Sequence, residues 1–200
     1  MTKNKVINFD FENNCYGCRN CENICPKKAI KMINNEEGFI IPKIDYEKCI
    51  DCGLCTQKCP YLHNNQETLM KRKWYGGYLK DEKERMQSTS GGMFTALANW
   101  FLDNDGYVCG CVWNEELEAT HIITNKIKDI QRMRGSKYVQ SNLNSCVLEI
   151  KKLLAHHKVL FTGTPCQVAA IKKYMKITKI YIQWLLYVRE FLHQKFGKNM

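Results

Sequence analysis

At 200 residues, 44% apolar and 25% charged, the chain is a globular mixture with room for one ordinary domain or two small ones, which excludes wholesale disorder. Its first residues hold no apolar run of signal-peptide length, and no apolar stretch approaches the roughly 20 residues that cross a bilayer, so a cytoplasmic chain without a membrane span is expected. Twelve cysteines in such a chain argue for metal ligation over a disulfide framework, because the cytosol keeps thiols reduced.

Four of those cysteines fall in one short run, Cys15, Cys18, Cys21 and Cys25, closed by Pro26. The same C-x2-C-x2-C-x3-C-P spacing returns 34 residues later at Cys49, Cys52, Cys55, Cys59 and Pro60. Two complete copies resemble the bacterial dicluster ferredoxins. In that pattern the first three cysteines of a run bind one 4Fe-4S cluster and the fourth crosses to the other. The expected sets are Cys15, Cys18, Cys21 and Cys59 for one cluster, and Cys49, Cys52, Cys55 and Cys25 for its neighbour. Zinc is the alternative, but zinc ribbons separate two CxxC pairs by a longer spacer, whereas three consecutive steps here end in Cys-Pro. Between the runs, residues 28–33 and 38–45 read as short strands around a turn at Asn34 to Gly38. A dicluster ferredoxin module over residues 1–62 is the expectation, with a linker at 63–78 and an α/β domain over 79–200.

The formal net charge of +10 raises nucleic acid as a partner. Two oxidised clusters with their thiolates would carry about −2 each and bring it to roughly +6. The remaining basic residues are scattered apart from Lys71 to Lys73, and no basic helix is interleaved with aromatics. A solvated basic surface is the first reading, an acidic partner or anionic ligand the second, and no specific nucleic acid is expected.

Beyond the linker, Ser90, Gly91 and Gly92 lead into a helical pattern from Met93 to Leu102. Residues 107–113 and 119–124 read as strands, and 128–134 as a helix stopped at Gly135. Ser141 is placed to cap a helix over 143–157. A buried strand over 158–162 then meets Gly163, Thr164, Pro165 and Cys166, where Pro165 suits a first helical position and the helix runs to about Met175. Strands alternating with helices imply α/β layers with some parallel pairing. A glycine turn before a helix N-terminus can hold phosphate, although an ordinary loop looks the same. Cys109, Cys111 and Cys146 read as core thiols. Cys166 sits where a helix dipole lowers a thiol's pKa, without a basic neighbour in sequence.

Three segments, Ser90-Gly-Gly-Met-Phe-Thr-Ala-Leu-Ala, Arg134-Gly-Ser-Lys-Tyr-Val-Gln-Ser and Phe161-Thr-Gly-Thr-Pro-Cys-Gln-Val-Ala, resemble in order and separation the coenzyme F420 hydrogenase/dehydrogenase beta-subunit family. The resemblance covers about residues 10–176. It implies a flavin-binding domain behind the ferredoxin module, with FAD as a possible cofactor. By analogy Ser90, Gly91, Gly92, Gly135, Ser136, Lys137, Gly163, Thr164 and Cys166 would lie near the flavin. After Met175 the match fails where the family continues with a strand and a Cys-x-Gly-Val-Pro-Ser-Pro motif. Codons read one base earlier from Tyr187 could restore that motif. A frameshift between Met175 and Ile182, leaving the α/β domain truncated, is the expectation. An amphipathic helix with Trp184, Leu185, Val188 and Leu192 on one face is the alternative.

The resulting reading is an iron-sulfur oxidoreductase subunit that relays electrons between a redox partner and a flavin. Its rival is an electron carrier or docking protein whose incomplete flavin domain has no activity of its own. No nucleophile or His-carboxylate constellation supports hydrolysis.

Overall fold

The two cysteine runs build the same local structure twice. In the computed structural model, which describes residues 5–63, 76–175 and 183–185, a short helix α1 (Phe11–Asn14) precedes the first run. Helix α2 (Asn20–Ile24) and helix α3 (Leu54–Lys58) then occupy equivalent places in the two runs. Each run reaches its helix through two left-handed residues, Gly17 and Arg19 in the first, Asp51 and Gly53 in the second. Both pairs keep the 34-residue offset of the cysteines. Strands β1 (Ile30–Asn34) and β2 (Ile40–Ile44) form an antiparallel hairpin between the runs, with Met32 opposite Pro42.

Left-handed backbone costs energy in a non-glycine residue and persists only where the surroundings hold it. Arg19 is held by Glu22 at 2.5 Å and Asn142 at 2.7 Å. Asp51 is held by its own carboxylate, which accepts the Lys5 and Val6 amides at 2.8 and 2.9 Å.

A second layer system follows. Helix α4 (Glu82–Met86) leads to α5 (Met93–Asp103), strands β3 (Tyr107–Trp113) and β4 (Ala119–Thr124), helices α6 (Ile127–Met133) and α7 (Cys146–Leu153), strand β5 (Val159–Gly163), helix α8 (Pro165–Met175) and strand β6 (Gln183–Leu185). The sheet runs β4-β3-β5-β6, antiparallel at β4 and parallel elsewhere. Side-chain alternation along these strands divides the core. Val108, Val112 and Leu160 pack with Phe101 of α5 and Ile130 of α6. Cys109, Val159 and Phe161 pack with Val147 and Ile150 of α7 and with Val168 and Ile171 of α8.

The cysteine module closes on the α7/α8 face. Cys18 belongs to the same apolar cluster as those helices. The buried Asn20 amide donates to the carbonyls of Lys58 and Ala170 at 3.1 and 2.9 Å. Lys58 Nζ reaches the Tyr174 carbonyl at 2.6 Å, and Gln140 accepts the Ile40 amide at 2.8 Å.

Some expectations shift. Helix α7 is shorter than the 143–157 pattern, because Asn144 takes a left-handed turn and Ser145 stands at its start. Ser141 therefore caps nothing there; its buried hydroxyl accepts from Gln167 Nε2 at 2.8 Å. Residues 183–185 form a strand against β5, so the amphipathic-helix alternative does not hold at Trp184 and Leu185. The rest of that tail, the 64–75 part of the linker and the Lys71 to Lys73 group lie outside the described residues. Among the described residues no helix is long and apolar enough to cross a membrane.

Leu160 is fully buried on β5, in the middle of the sheet. Leu160→Ala is expected to cost about 2–5 kcal/mol by urea unfolding of the iron-loaded chain under argon. A loss under about 1 kcal/mol would contradict this packing.

Candidate functional site

The eight run cysteines surround two separate cavities. Cys15, Cys18, Cys21 and Cys59 line one, together with Ile7, Tyr16, Asn20 and Pro60. Cys25, Cys49, Cys52 and Cys55 line the other, with Val6, Lys27 and Ile50. Each cavity takes three cysteines from one run and the fourth from the other. No disulfide links them. Among the described residues no three His, Cys, Asp or Glu side chains close on a point suited to a single metal ion. Four thiols around a volume instead of a point suit a cubane cluster better than a lone zinc with its Zn–S bonds of about 2.3 Å.

Backbone amides point at the sulfurs in both cavities. Gly17 N–H donates to Cys15 Sγ and Asp51 N–H to Cys49 Sγ, both at 3.4 Å. Ile7 reaches Cys55 Sγ and Ala29 reaches Cys25 Sγ, both at 3.3 Å. Such bonds favour thiolate and tune a cluster's potential. Burial acts against them, pushing the Cys15 thiol up to about 11 and Cys18 up to about 12. Thiolates here need nearby positive charge, which ligated iron supplies. The donor set therefore fits 4Fe-4S clusters.

The two cavities differ in depth. Cys18, Cys21 and Cys59 are buried, and their cavity lies against α8; in the other, Cys52 is exposed and Ile50 beside it is 57% exposed. We call them inner and outer.

A cleft of about 360 Å³ opens in the α/β layers, lined by Ser90, Gly91, Gly92, Gly135, Ser136, Lys137, Gly163 and Thr164. These are eight of the nine residues expected near a flavin. Small-molecule sites of about 300–1,000 Å³ are the usual range. The N-termini of two eleven-residue helices, α5 after Gly92 and α8 after Thr164, meet this cleft. Their dipoles favour an anionic group. Met93, Phe94 and Met133 add apolar walls.

Two expected residues behave differently. Lys137 lines the cleft, but its ammonium is spent on the Arg132, Met133, Arg134 and Gly135 carbonyls at 3.0–3.2 Å, closing the C-terminus of α6. Cys166 does not line the cleft. Its sulfur lies 3.0 Å from Thr164 Oγ1, and its proximity helps raise the Tyr16 phenol and the Cys18 thiol, after burial. It follows the cleft residue Thr164 on the first turn of α8.

Gln167, Cys111 and His121 also line the cleft and were not among the residues expected there. Gln167 Oε1 accepts the Thr164 amide at 3.0 Å, tying up one of the amides expected to be free. A Cβ on Gly163 would meet that oxygen at 2.7 Å, so a larger residue there would push the Gln167 amide off the Thr164 N–H. Cys111 and His121 face one another across β3 and β4, a pairing that only the strand register reveals. His121 Nε2 lies 3.1 Å from the Thr162 carbonyl, while its Nδ1 is buried without a partner.

Comparison with known proteins adds a family context. Residues 14–62 match a family described as "4Fe-4S dicluster domain", and 41–94 match a second family of the same description. The chain is similar to a subunit of the F(420)H(2) dehydrogenase of Methanosarcina mazei, 25% identical over 84% of this chain and 49% of the relative. It is also similar to the "Coenzyme F420-dependent sulfite reductase" of Methanocaldococcus jannaschii, 24% identical over 80% of this chain and 25% of that protein. Both matches are too long for the cysteine module alone. The chain spans about half or less of these relatives' lengths.

Burial holds His121 down to about 4 against an ordinary 6.5. Between those values the unfolded chain takes up a proton that the folded chain refuses, so this contribution is intact above pH 6.5 and is lost as pH falls towards 4. A linkage of about 3 kcal/mol follows. Wild type should lose more stability than His121→Gln between about pH 7 and pH 5 in urea unfolding; equal losses would contradict a buried neutral imidazole.

Proposed function

We propose, from a chain whose residues 14–62 are a 4Fe-4S dicluster domain and whose relatives include F420-linked oxidoreductases, that this protein is an iron-sulfur electron-transfer subunit of an oxidoreductase. Cys15, Cys18, Cys21 and Cys59 hold the inner cluster; Cys25, Cys49, Cys52 and Cys55 hold the outer one. The observation that carries this reading is the division of eight thiols into two four-sulfur cavities, each receiving its fourth thiol from the other run.

The cleft holds a flavin, FAD being the form its anion-favouring helix ends suit. When bound, a flavin exchanges single electrons with clusters and electron pairs with an organic substrate. The chain's own residues position it. Gly91, Gly92 and Gly163 let backbone approach closely, Ser90, Ser136 and Thr164 offer hydroxyls, and Phe94 and Met133 exclude water from one wall. Cys18 and Tyr16 of the inner cavity pack in one apolar cluster with Val168 of α8, the helix that starts at the cleft, so the inner cluster is the one adjacent to the flavin. Cys166 acts by position and packing. Coenzyme F420, which both relatives carry in their names, is the substrate class this site would serve in an assembled enzyme.

Anaerobic purification or reconstitution is expected to give about eight irons per chain. Cys18→Ala and Cys52→Ala should each leave about four, with flavin retained in the Cys52 variant. Zinc in place of iron would overturn the cluster reading, and eight irons without flavin at stoichiometric supply would overturn the cleft assignment.

A further inference from the structure

Among the described residues, the outer cavity is where an external carrier can approach a sulfur ligand closely, since Cys52 is exposed, whereas the inner cavity has three buried cysteines, Cys18, Cys21 and Cys59, and an intermediate Cys15. Its rim has a definite chemistry. Pro26, Lys27 and Ile50 line the cavity mouth and are exposed. Lys5 packs within 3.4 Å of where a Cβ on the cavity residue Gly53 would stand, and Lys28 follows Lys27. All three lysines are exposed. The nearby carboxylates offset them only in part. Asp51 is tied to the Lys5 and Val6 amides, Asp45 pairs with Lys48 at 2.6 Å, and Glu47 is exposed.

An apolar centre ringed by cations is the form of an electrostatically steered docking face. We propose that the Lys5, Lys27 and Ile50 face, over the outer cluster, docks an acidic one-electron carrier protein. The inference rests on the cluster reading and adds the partner's chemistry. The exchange moves one electron between the carrier's reduced centre and the outer cluster, with no bond made or broken. Ile50 supplies the desolvated contact, and the lysines supply encounter rate and orientation.

The test is equilibrium binding without turnover. An oxidised acidic dicluster ferredoxin is titrated calorimetrically into the iron-loaded chain, with iron content and visible spectrum recorded for every variant. Kd should weaken about tenfold between about 20 and 200 mM salt. At low salt Lys5→Glu with Lys27→Glu should weaken it about tenfold or more, while reversal of exposed Lys151 and Lys152 on α7 should leave it unchanged. Two results would overturn the proposal: no binding at low salt, or equal weakening by the α7 pair, which would mean diffuse attraction to a basic chain. A chain that takes up no iron would instead remove the reading beneath it, and the iron count separates the two failures.

Discussion

Thiolates in an apolar surround demand positive charge, and the folding of residues 5–62 is arranged around that demand. Burial first, and neighbouring thiols after it, raise the Cys15, Cys18 and Cys21 thiols. Backbone amides aimed at sulfur lower the cost, and ligated iron supplies the rest. The left-handed residues 17, 19, 51 and 53 bend each run so that three sulfurs and an amide converge. Without metal, this small module has few other reasons to be ordered: its apolar cluster is built largely from Val6, Ile7, Ile30 and the cysteines themselves.

Helix α8 links this module to the rest. One side of it packs into the sheet through Val168 and Ile171, and its carbonyls at Ala170 and Tyr174 receive Asn20 and Lys58 from the cysteine runs. Its N-terminus lies at the cleft. A helix fixed at one end to the cluster module and at the other to a ligand cleft sets the separation between them. Thr164 at the cleft touches Cys166 on the first turn of this helix, Oγ1 to Sγ at 3.0 Å.

The sequence carried the periodic parts of this architecture well. The repeated cysteine spacing implied the pseudo-twofold module, and helix and strand periodicity located α5, β3, β4, β5 and α8 to within a residue or two, since burial enforces those periods directly. What escaped was decided by tertiary partners. Ser141 looks like a cap until Gln167 is seen to claim its hydroxyl. Lys137 looks like a ligand-binding cation until the α6 carbonyls claim its ammonium. Cys166 shares a loop with Thr164, yet on the first turn of α8 it does not line the cleft. His121 enters the cleft only because strand register sets it opposite Cys111.

The two four-sulfur cavities occupy unequal places, one beside α7 and α8 and one near the surface at Cys52. Anaerobic iron release to a strong chelator measures that inequality directly. Two phases of about four irons each are expected, with the fast phase abolished in Cys25→Ala and the slow phase retained. A single phase releasing all the iron together, or loss of the slow phase in that variant, would contradict it.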